Sequence, residues 1–141
     1  MSKQLADWPS VTDTVLDLGY YPGRMDARVK AVAALSPDAM TGPGGSVGSA
    51  PLLISHGDRD AIVPFSNATT VFNQVHTHRF LLTLIGGDHL PPVQGAAPWA
   101  AVLDEAILDL LDHDVAGATA GDQALVAGAN VPGVASLQQA G

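Results

Sequence analysis

A chain of 141 residues, 47% hydrophobic and only 14% charged, is long enough for one compact domain with a buried core and too short for two ordinary ones. Fourteen acidic against six basic residues give a formal charge of -8, which repels phosphate backbones and anionic membrane surfaces, so nucleic acid is not an expected partner. The lack of cysteine rules out a disulfide framework, a thiolate metal site and a cysteine nucleophile together, and it fits either redox compartment.

In chain order, Trp8-Pro9-Ser10 opens a helix that carries Val11, Val15 and Leu18 at helical spacing, and Tyr20-Tyr21-Pro22-Gly23-Arg24 closes it. Arg28-Val29-Lys30 leads into a buried strand, Ala31 to Leu35, that ends at Ser36-Pro37. A Gly, Pro and Ser loop runs from residue 38 to about 49, and a second strand from about Pro51 to Ser55. After Pro64 a helix is expected over Ser66 to Val75, with Ser66 or Asn67 as its cap. His76 to Arg79 link it to a third strand, Phe80 to Ile85.

Beyond Pro91-Pro92 the period changes. Trp99, Val102, Leu103, Ala106, Ile107, Leu110 and Leu111 mark one helical face, and Asp104, Glu105, Asp109 and Asp112 the other. The apolar stripe reads as core packing and the acidic face as solvated surface. Residues 116–141 are rich in Ala and Gly and read as a tail, with one short helix around Asp122 to Ala127 and loose packing over the surface. Strands alternating with helices at these lengths predict an α/β fold of about three parallel strands with flanking helices and right-handed crossovers. The domain occupies residues 1–115, ahead of that tail. No apolar run reaches the roughly 18 residues of a membrane span, and no signal peptide is recognisable at the amino terminus.

Chemistry-bearing residues collect where two strands end. Leu52-Leu53-Ile54-Ser55-His56-Gly57 runs into Asp58-Arg59-Asp60, and Phe80-Leu81-Leu82-Thr83-Leu84-Ile85 runs into Gly86-Gly87-Asp88-His89. In open parallel sheets, ligands bind in the crevice outside the carboxyl ends of the strands. An acid and a histidine placed there are two members of a Ser-His-Asp triad, in the acid-then-histidine order.

Three segments together resemble the carboxyl-terminal half of α/β-hydrolases, in the dienelactone hydrolase and cutinase-like polyester-hydrolase branch. They are Asp26-Ala27-Arg28-Val29-Lys30-Ala31-Val32 through Leu35-Ser36, then His56-Gly57-Asp58-Arg59-Asp60-Ala61-Ile62-Val63-Pro64, then Gly86-Gly87-Asp88-His89. The resemblance spans about residues 14 to 113 and rests on the order and spacing of the three. It implies a partial α/β-hydrolase fold, with Asp60 orienting His89 and His89 shuttling the proton of a serine nucleophile. Asp58 and Asp88 read instead as turn and loop-capping residues. The resemblance further implies a carboxylic-ester hydrolase of esterase, lipase or cutinase type, acting on a small-molecule or polymeric ester without a cofactor. Members of the family are cytoplasmic or secreted, so it assigns no location.

The nucleophile departs from the family pattern. The strained turn that exposes a catalytic serine needs strand, Gly-x-Ser-x-Gly, helix. The literal match, Gly44-Gly45-Ser46-Val47-Gly48, is followed by a strand rather than a helix. Counting back from the helix at Thr14-Val15-Leu16 places the elbow close to Ser10, but Trp8 and Thr12 stand where glycines belong. Ser10 is therefore the leading candidate and Ser46 the second, on a chain read as truncated at or just inside the elbow.

Such a truncation would leave the strand at Ala31 to Leu35 as an open apolar edge, which invites a second copy or a complementing amino-terminal half. A metal centre is not expected. His76 and His78 lie at one end of a helical unit, His56 with Asp58 and Asp60 at the other, and neither group has a third convergent ligand. The alternative to an ester hydrolase is a catalytically silent module derived from the same fold, serving as an interaction unit. A serine presented to His89 separates the two.

Overall fold

The structure is a computed structural model, and it describes residues 28–38, 49–90, 92, 94–114, 117 and 121–141. The elements run β1 (Val32–Leu35), β2 (Leu52–Gly57), α1 (Phe65–Gln74), β3 (Arg79–Leu84), α2 (Trp99–Asp114), α3 (Gly121–Ala129) and β4 (Ala135–Ala140). They build one four-stranded sheet in the order β1-β2-β3-β4. The first three strands are parallel and β4 is antiparallel to β3. The protein is thus an α/β fold, with the expected three parallel strands and one more.

β2 is buried along its whole length. A strand covered on both faces reads as a continuous apolar run rather than an alternating one, which is what Leu52-Leu53-Ile54 supplies. The pleat then sends neighbours to opposite faces. Leu52 and Ile54, with Leu81 of β3, meet Ala68 and Phe72 of α1. On the other face Leu53, Phe80, Leu82 and Leu84 meet Leu103, Ala106 and Leu110 of α2 and Leu125 and Ala129 of α3. Each large side chain buried in these two layers contributes about 2 kcal/mol of transfer free energy, enough to fix the register of the two central strands. That register sets Gly57 beside Leu84, so β2 and β3 end together.

Two expectations are corrected. α1 starts one residue earlier than expected, at Phe65, with Pro64 in the capping position and no side-chain cap. Proline lacks an N–H to satisfy and holds the φ of -58° found here, so it ends the extended run and lets the helix begin. Ser66 sits inside the helix, its carbonyl accepting the hydroxyls of Thr69 and Thr70. Asn67, also inside it, donates its amide to Asp38 at 2.7 Å.

The loose tail is the second correction. α3 spans Gly121–Ala129, longer than the short helix expected there, and Leu125, Ala129 and Ala135 are all buried in the α2 layer. Small residues allow this close approach. Gly133, at φ +74°, makes the turn that returns the chain along β3. Ile85 then donates its N–H to Val134 at 2.8 Å and Leu137 to the Asn130 side chain at 3.0 Å. β4 therefore closes the β3 edge, while β1 pairs, among the described residues, with β2 alone. No described helix is long and apolar enough to cross a membrane.

Candidate functional site

The loops after β2 and β3 touch because both are stripped to glycine where they meet. A Cβ on Gly57 would lie 2.2 Å from the Gly87 carbonyl oxygen, so no other residue fits at that position without moving backbone. Arg59 donates its N–H to the Gly87 carbonyl at 3.0 Å, and Asp58 donates its own to Leu84 at 3.2 Å. Gly86 turns through φ +73°.

Two carboxylates clasp the loops across this seam. Asp58 Oδ1 accepts the Gly86 N–H at 2.6 Å. Asp88 Oδ1 accepts the N–H groups of Ala61 at 3.1 Å and of its own neighbour His89 at 2.8 Å. Both therefore do the capping work expected of short acidic side chains in turns. Trp99, opening α2, adds a third tie by donating its indole N–H to the Ile85 carbonyl at 2.8 Å.

So held, the loops bring Asp60 and His89 together. His89 Nδ1 stands 2.7 Å from Asp60 Oδ2. The other oxygen, Oδ1, accepts the backbone N–H groups of Ile62 at 2.9 Å and Val63 at 2.8 Å. The Asp60 side chain is 0% exposed and that of His89 23%. Burial pushes the Asp60 carboxyl up, but the Val63 N–H, His89 and the Ile62 N–H together outweigh it and hold the acid below its ordinary value. The carboxylate is thus ionised at neutral pH and takes the proton of His89 Nδ1 as an acceptor. That leaves His89 Nε2 as the basic nitrogen, on a ring that reaches solvent.

A second histidine lies beneath the pair. His56, at the carboxyl end of β2 and on the Leu52/Ile54 face, is 0% exposed. Its Nε2 is 2.9 Å from the Val63 carbonyl and 3.1 Å from Asp60 Oδ2, and its ring meets Phe65 edge-on. In the sequence, His56 reads as part of the strand-end motif and as a discounted metal ligand, with no role toward Asp60. Its spacing four residues before Asp60, at the end of a buried strand, is the signal that points to it.

The structure thus brings Asp60 and His89 together and places Asp58 and Asp88 as caps of the two turns. Ser10 and Ser46 lie outside the described residues. No three His, Cys, Asp or Glu residues among those described are grouped to hold a metal ion. What the pair can do chemically is accept a proton at His89 Nε2 while Asp60 fixes the tautomer and balances the imidazolium that forms. No family model matches the chain, and no curated protein matches it.

Proposed function

We propose that the chain is a carboxylic-ester hydrolase of serine type, built on a partial α/β-hydrolase fold. The observation that carries this reading is the 2.7 Å contact between a fully buried, ionised Asp60 and a solvent-reaching His89 at the carboxyl ends of adjacent parallel strands. In the reaction, a serine Oγ–H gives its proton to His89 Nε2 as Oγ attacks the ester carbonyl carbon. The tetrahedral adduct collapses, the C–O bond to the alcohol breaks, and His89 returns the proton to the departing alkoxide. Water then gives a proton to His89 and attacks the acyl carbon, and the serine leaves with that proton. Asp60 stays ionised throughout. Ser10 is the serine the sequence favours for the attack.

Treating the purified chain with a fluorophosphonate and locating the adduct by mass spectrometry tests the reading. An adduct on Ser10 that is absent from His89→Ala supports it. If no serine is labelled, the chain is not a self-sufficient serine hydrolase, and the silent interaction module takes its place.

A further inference from the structure

We infer that His56 is a positioning residue for Asp60, holding from the core side the turn that presents its carboxylate to His89. The Val63 carbonyl oxygen can only accept, so the 2.9 Å contact makes His56 Nε2 the donor. The same Nε2 lies 3.1 Å from Asp60 Oδ2. The turn from Asp60 to Val63 is then gripped twice. The Asp60 carboxylate holds the Val63 N–H from above, and His56 holds the Val63 carbonyl from below.

Oδ2 is where this matters. Its neighbours are His89 at 2.7 Å, the ring to be positioned, and His56 at 3.1 Å, a side chain fully buried at the end of β2. A turn held from the core side gives His89 a steadier acceptor.

The other nitrogen of His56 shows that the ring is not there for packing alone. Nδ1 is buried with no hydrogen-bond partner among the described residues. Leaving a buried acceptor unmet forfeits its hydration without return, a penalty that an apolar side chain of similar size would avoid. A histidine kept at that cost is accounted for by its Nε2–H. With the proton on Nε2, His56 and His89 hold opposite tautomers, His56 toward the Val63 carbonyl and His89 toward Asp60.

The inference rests on the Asp60–His89 relay proposed above, but its test needs neither substrate nor nucleophile. Long-range proton–nitrogen spectra report which ring nitrogen of each histidine carries the proton, and they are to be recorded at about pH 9, above the ordinary imidazole range. The wild-type chain is expected to show His56 protonated on Nε2 and His89 on Nδ1. In His56→Gln the amide nitrogen falls near the place of Nε2, and His89 stays on Nδ1. His56→Asn puts its amide near the place of Nδ1 and leaves the Nε2 side empty, so the His89 proton spreads over both ring nitrogens.

A structural role alone would lower the melting temperature of both variants without moving the His89 tautomer. The inference is overturned if His89 stays on Nδ1 in folded His56→Asn, if it departs from Nδ1 in folded His56→Gln, or if wild-type His56 carries its proton on Nδ1. Should His56→Asn not fold, the wild-type and His56→Gln spectra still decide. A failed fluorophosphonate experiment leaves these spectra unaffected, so the two readings fail separately.

Discussion

Histidine meets aspartate at both ends of this sheet, and the two meetings are unlike. At the carboxyl ends of the strands, Asp60 is 0% exposed, receives His89 at 2.7 Å and has its second oxygen filled by two backbone N–H groups. At the opposite end, His78 and His113 stand 3.6 and 3.4 Å from Asp122, with all three side chains about a third exposed (28, 31 and 35%). Water competes for the second set, and contacts of that kind contribute about 0–1 kcal/mol. It cannot reach the first carboxylate. The difference lies in how completely the acid is taken from solvent and how many fixed donors replace the water, and the sheet supplies those donors only where Gly57 and Gly87 let two loops close on each other.

The sharpest break in that comparison is to neutralise each acid in turn. On the proposed hydrolase function, Asp60→Asn presents an amide where His89 needs an acceptor, so ester turnover is expected to fall by about 10⁴-fold through the wrong tautomer. Asp122→Asn leaves turnover unchanged and shifts stability by no more than about 0.5 kcal/mol. Steady-state rates on a short-chain ester, with urea unfolding of each variant, make the measurement. Comparable losses in the two variants would dissolve the distinction.

Glycine separates the loop seam from the helical layer next. Gly57→Ala drives a Cβ to 2.2 Å from a backbone oxygen, which can relax only by parting the loops. A loss of about 3 kcal/mol is expected in urea unfolding, together with a loss of turnover. Gly128, on α3, is different. Its added Cβ would meet the Glu105 side chain at an ordinary 3.6 Å, so Gly128→Ala stabilises the helix by about 0.5–1 kcal/mol and leaves turnover alone. A tolerated Gly57→Ala would mean the seam is looser than its geometry.

These contrasts also show what the sequence discloses. Asp60 and His89 were legible because an apolar run, a glycine and a short polar group in that order make a strand end, and parallel topology brings strand ends together. Asp58 and Asp88 were legible as turn residues, but the N–H groups they take, on Gly86 and Ala61, lie in the loop of the other strand. β4 was not legible. Ala135-Ser136-Leu137-Gln138-Gln139-Ala140 carries one large apolar residue, and its strand character comes from the free edge of β3 and from the turn at Gly133. His56 was legible as a neighbour of Asp60, but its bond to Val63 was not, since that contact is made by a loop that closes only in three dimensions.

The smallest expected effect tests the comparison through pH, because two carboxylates are displaced in opposite directions. Asp60 lies below its ordinary value of 3.8 despite burial, through the Val63, His89 and Ile62 contacts. Its stabilisation is therefore fully present above that value and is lost as pH falls through the folded pKa, so the stability gap between wild type and Asp60→Asn closes below about pH 4. Asp109 is raised, first by partial burial and then by Glu105 and Asp112. Its ionised form destabilises the fold at neutral pH, and the strain is relieved as pH falls through its raised value. Asp109→Asn should then stabilise the chain by about 0.5 kcal/mol at pH 7, less at high salt because the repelling Glu105 and Asp112 are exposed. The gain should fade on acidification before the Asp60 gap begins to close. Urea unfolding of the two variants across pH 3 to 8 reads both trends, and an Asp109→Asn advantage that persists after the Asp60 gap has closed would show that the repulsion on α2 is not its source.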